Sequence, residues 1–190
     1  LTYVTIALEY LYDLSPLRAA ILLVPAQLGA VVGAKFLAAW AMHRWGVSLA
    51  ARRLTIAIAV TMLPLLAMQS GTPAWYLISS AAIFSCMGMA ALTVLNAEVM
   101  GQAHPESTGA ISSFRAAASS IGGAMGVAVL GTGVISAVSV DEGVGAVSPA
   151  QLDQLAASLR LDAVLACVIA TIGWAILTRA ARRSKAMEPT

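Results

Sequence analysis

The chain has 190 residues, 59% hydrophobic and 11% charged, with a formal net charge of +2 and a mean hydropathy of +0.85. A globular domain carries about 25% charged residues, so this composition excludes an ordinary water-soluble fold and predicts an all-α polytopic membrane protein. The small net charge, with cations in two short clusters and not along a face, excludes a nucleic-acid partner.

Residues 1–11 are apolar and helix-compatible but rise only about 17 Å, against roughly 30 Å of hydrocarbon. They read as the truncated end of a first helix, so the sequence reads as a fragment of a longer chain whose N-terminus, with any signal peptide, lies upstream. A turn belongs at Asp13, Leu14, Ser15 and Pro16, because proline suits the first turn of a helix and disfavours helical geometry just before it. Residues 17–42 are long enough to span and carry Pro25, Gly29, Gly33 and, beyond Arg18 at the start, the cation Lys35. A basic loop over 43–53, with His43, Arg44, Arg52, Arg53 and the interfacial Trp45, closes that span.

From Leu54 to Ala97 there are 44 positions without a charge. As one helix they would reach roughly 66 Å, about twice what a bilayer needs. Two spans therefore occupy this run, with Gln69, Ser70, Gly71, Thr72 and Pro73 as the turn and Trp75 and Tyr76 as an aromatic belt. Pro64 and Gly88 inside these helices are tolerated more readily in lipid than in water.

Residues 101–105 break the pattern again, and Pro105 suits the first position of a further helix. In that helix Ala118, Gly122, Gly126 and Gly133 recur at steps of four, four and seven on one face. Glycine at this density would cost a helix in water about 1 kcal/mol per residue. In lipid, where association cannot draw on apolar burial, such small-xxx-small faces permit close backbone approach, so these four residues predict a packing seam. Residues 136–147, Gly/Ser/Val-rich with Asp141 and Glu142, read as a loop. Ser148, Pro149, Ala150 and Gln151 match a capping box that starts a last helix with an amphipathic Leu152, Leu155, Leu159 face. The final span runs to about Thr178, and residues 186–190 read as a disordered tail.

Loop cations set the orientation. The 43–53 loop and the C-terminal tail hold Arg44, Arg52, Arg53, Arg179, Arg182, Arg183 and Lys185, whereas the alternate connections hold Arg18 and Arg160. The positive-inside rule therefore puts the C-terminus and both basic clusters in the cytoplasm of a cell membrane, inner or plasma, and the Asp141/Glu142 loop outside. This gives a transmembrane helix bundle over 1–185 with five complete spans plus the truncated first helix.

Ionisable groups inside a span cost about 2.5 to 3.5 kcal/mol at its centre, so each carries a functional hypothesis beside a structural one. Arg115 lies ten residues beyond Pro105, roughly 15 Å into its helix. It either faces a cavity, pairing with an acid or holding a gate, or serves as a structural inter-helix pair or snorkels to the cytoplasm. Folding back about Gln102 brings Asn96 and Glu98 to the same side, with Glu98 about 9 Å shallower. Lys35, about 13 Å deep, acts as a cavity cation or snorkels to the inner surface. Glu9 is a proton carrier if desolvation raises its pKa, or a solvated carboxylate at the interface. Asp162 sits at the outer edge of its helix, in water.

No metal or cofactor site is legible: His43 and His104 fall in separate loops with no second ligand at helical spacing. Cys86 and Cys167 lie in apolar runs without a basic activator and read as inert thiols. The glycines sit inside helices, not in a phosphate-binding loop after a strand. An enzyme is not expected.

Several short motifs in order resemble the C-terminal half of a major facilitator superfamily transporter, most closely the fourteen-helix drug:proton antiporter family. They are Tyr10 and Leu11 followed by SPLRA at 15–19, PAQLG at 25–29, Arg44-Trp45-Gly46, and GGAMGVAVLG at 122–131, similar to that family's GGALGVAVLG. The chain departs from the family at Glu9, commonly Gln, at His43, near where Asp often stands, and at Ser119, frequently Arg. The resemblance implies one lobe of a two-lobed carrier that rocks against a missing N-terminal lobe around a midplane cavity. It further implies proton-coupled efflux of lipophilic, often cationic small molecules, so the implied partners are that lobe, the small-molecule substrate, protons and the lipid bilayer. Two rival readings remain open: the same fold with another cargo, such as a lipid precursor, siderophore or sugar, and a non-transporting membrane scaffold module.

Overall fold

A computed structural model describes residues 5, 8–9, 12, 14–67, 72–101, 108–138 and 149–186. Their regular structure is entirely helical, in five long helices: α1 (Pro16–Trp45), α2 (Val47–Leu66), α3 (Ala74–Gly101), α4 (Thr108–Val138) and α5 (Pro149–Ala186). Most of the truncated first helix, the turn residues Gln69 to Gly71, His104, Pro105, the Asp141/Glu142 loop and residues 187–190 lie outside the described residues.

Three helical stretches are long and apolar enough to cross a membrane, Pro16–Trp45, Val47–Pro64 and Ala74–Gly101. Of the five complete spans expected, these three stand on length and composition among the described residues. Helix α5 also holds a shorter apolar stretch, Ala163–Arg179, among the described residues.

Helix α1 is interrupted twice. Pro25 has no N–H to donate, and the ladder breaks at Leu23 and resumes with Ala26 and Gln27 donating to the Leu23 carbonyl. Further on, Gly33–Leu37 forms one π-helical turn. The helix then ends abruptly at Gly46, whose φ of 74° lies in the region glycine adopts at little steric cost. Because that one residue makes the whole turn, the expected basic loop over 43–53 is corrected: Arg52 and Arg53 lie within α2. The guanidinium of Arg53 stacks 4.6 Å from the Trp45 ring centroid, and Trp45 meets Trp40 edge-on.

Helix α3 packs against both α1 and α2, α5 covers the other side of α2, and α4 rides on α5 while barely touching α3. The core is built from small side chains. One cluster gathers Leu8, Ala19, Leu23, Ala26, Leu77 and Ala81; another gathers Ala38, Ala41, Ala50, Ala51, Ala90 and Val94. Alanine lets the helix axes approach closely, which is how helices associate where lipid removes the apolar driving force. The closest approach is between α1 and α3. A Cβ on Gly29 would come within 2.6 Å of the Ala82 carbonyl oxygen, and one on Gly33 would overlap the Cys86 carbonyl.

At the end of the bundle where α2 leads into α3, Tyr12 donates to the Thr72 carbonyl at 2.6 Å and Tyr76 to the Pro64 carbonyl at 2.7 Å. Proline at 64 leaves an earlier carbonyl without its helical donor, and the Tyr76 hydroxyl ties the bend to the next helix.

Candidate functional site

Consecutive helices usually pack side by side. Here α4 docks on α5 and splays from α3, leaving a cleft between the C-terminal part of α3 and the N-terminal part of α4, with a volume of about 980 Å³. That is the size of a site for one drug-sized molecule.

On the α3 wall stand Leu92, Asn96 and Val99; on the α4 wall stand Ile111, Phe114, Arg115 and Ala118. Leu92, Asn96 and Val99 follow the spacing that puts residues on one helical face, whereas the α4 lining, with Ala110 and Ala116 added, extends beyond a single face. Ser119 and Ser120 add hydroxyls on the α4 side. Asn96 is half-buried, whereas Phe114 and Arg115 are exposed toward the opening. The arrangement offers an apolar slot with one permanent positive charge and one amide, which can hold an amphipathic molecule by its polar end. The α3 wall belongs to a helix anchored in the core at Ala90, Ala91 and Val94, on the side turned from the cleft.

Of the expected site residues, Arg115 and Asn96 are brought together. The others are not among those lining the cleft. Glu98, two positions from Asn96, is half-buried and has a partner of its own. Lys35 lies in the π-helical turn on the exposed side of α1, with its ammonium 5.8 Å from the Phe36 ring centroid. Glu9 is half-buried in the first helix, beside Leu8. Phe114 and Ser120 were missed, and helical phase does not single them out, since they lie about 100° and 140° around α4 from Arg115.

The expected packing seam on α4 divides. Ala118 is exposed and lines the cleft, and a Cβ at Gly122 would meet nothing within 4 Å among the described residues. The surroundings of Gly126 and Gly133 lie outside the described residues. Cys167 is tied into the α5/α2 contact, its thiol donating to the Ala59 carbonyl at 3.3 Å.

No family model matches the chain, and neither a curated protein nor a solved structure matches it.

Proposed function

We propose that the chain is a membrane-embedded lobe of a proton-coupled exporter of lipophilic small molecules, which works by alternating access against a second lobe. In this reading α4 and α5 also span, the bundle sits in a cell membrane, and both arginine-rich ends face the cytoplasm. The observation that carries it is the α3/α4 cleft. Asn96 and Arg115 stand on different helices and are costly inside a bilayer, yet they line one slot of drug-like volume among apolar side chains.

A binding slot of this kind supplies what a carrier needs: a polar group to orient the cargo, apolar walls to accept its body, and a mouth that a rocking lobe can cover. The motif resemblance adds cationic cargo, whereas the charge lining the cleft is that of Arg115. The test is Arg115→Ala in the intact polypeptide, with export of a lipophilic dye and membrane insertion measured together. Export falls at least about tenfold, the loss of one charge-assisted contact, while insertion is unchanged. Wild-type export would defeat the cleft as the cargo site.

A further inference from the structure

We propose that the α3/α4 cleft selects an anionic amphiphile, a small molecule with a carboxylate head and an apolar tail. The inference rests on the reading of the cleft as a cargo site and adds the sign of the charge and the placement of the head.

Four apolar side chains, Leu92, Val99, Ile111 and Phe114, line the slot, together with Asn96 on the α3 wall and Arg115 on the α4 wall. No carboxylate lines it among the described residues. A guanidinium in apolar surroundings lacks the counter-charge that would offset its desolvation, and a carboxylate matches its planar fork with two parallel hydrogen bonds. The Asn96 amide supplies further donors on the opposite wall. A cationic head in the same place meets the like charge of Arg115. The charge of Arg115 therefore favours one class of occupant. The aromatic face of Phe114, exposed beside Arg115, is placed to accept the tail next to the head.

The experiment uses the full chain in nanodiscs and three photolabels with the same 12-carbon diazirine chain, headed by carboxylate, hydroxyl or trimethylammonium. Cross-links are mapped to the peptides holding residues 92–99 and 110–120. Carboxylate labelling exceeds trimethylammonium labelling by about tenfold or more, which corresponds to one charge-assisted pair. Arg115→Gln brings the ratio to about one, and Arg115→Lys retains most of it. Equal or stronger labelling by the cation in the wild-type chain, a comparison that needs no variant to fold, overturns the charge assignment and leaves the cargo site standing. A preference that survives Arg115→Gln also overturns it. Absence of cleft labelling by all three probes overturns the cargo-site reading itself.

Discussion

Arg115 and Lys35 are both cations well inside apolar helices, and the structure separates their surroundings. Along α1 the buried positions include Ala19, Ala26, Gly33, Ala38 and Ala41. Lys35 lies in the π-helical turn with its side chain exposed, off the packed face. Depth, which the sequence shows by counting from each helix end, puts both cations well inside. Phase decides between cavity and lipid, and phase needs to know which face has a partner. Arg115 and Asn96 were legible as a pair because the short connection between their helices brings them to the same side at similar depth. Tyr12 is a second residue whose role the structure supplies. Burial pushes its phenol above the ordinary value near 10, so the hydroxyl stays protonated and donates to Thr72. A pKa raised on folding means that the associated stability is present in full below about pH 10 and is lost as pH rises through the raised value. Tyr12→Phe is expected to lower stability at pH 7 by about 0.5 to 1.5 kcal/mol and to flatten the alkaline limb. Melting in detergent at pH 7 and pH 11 checks both, and an unchanged alkaline limb would remove Tyr12 from the account.

Between elements, the decisive contact is α1 on α3. Gly29 and Gly33 stand four residues apart and meet Ala82 and Cys86, also four apart, so two small-residue rows run along each other. The chain contains a second pair of this spacing, Gly122 and Gly126, with a more prominent glycine run around it. Spacing alone treats the two pairs alike. What distinguishes them is a complementary row on another helix, and the sequence does contain it: Ala82, Cys86 and Ala90 in α3 are small at the same step. Any side chain at Gly33 must displace backbone, because the obstacle is the Cys86 carbonyl and not a flexible side-chain tip. Gly33→Leu is therefore expected to cost at least about 1 to 3 kcal/mol, the range for overpacking, and to lower the melting temperature in detergent. Gly122→Leu in the same chain is expected to leave it unchanged, since a Cβ there meets open space. A larger loss at Gly122 than at Gly33 would place the main seam on α4 after all.

For the molecule as a whole, most element boundaries could be read from hydropathy and turn chemistry. α3 begins directly after Pro73, and α5 begins at Pro149, as the capping box implies. Two extents were not legible. α4 runs through Val138, into a stretch whose Gly/Ser content reads as loop, and α5 continues past Arg179 to Ala186 because arginine and alanine are good helix formers. The splay of α4 from α3, which creates the cleft, was not legible either: it depends on α4 preferring α5, a pairing between two helices whose composition does not announce it. The account as a whole requires that α4 and α5 both cross the bilayer, so that the cleft lies within it. Single cysteines at Ser48, Ser148 and Ser184, with Cys86 and Cys167 replaced by serine, measure this directly with a membrane-impermeant maleimide. The account predicts that Ser48→Cys and Ser184→Cys label from the cytoplasmic side and Ser148→Cys from the opposite side; labelling of all three from one side, or of Ser48→Cys and Ser184→Cys from opposite sides, would contradict it.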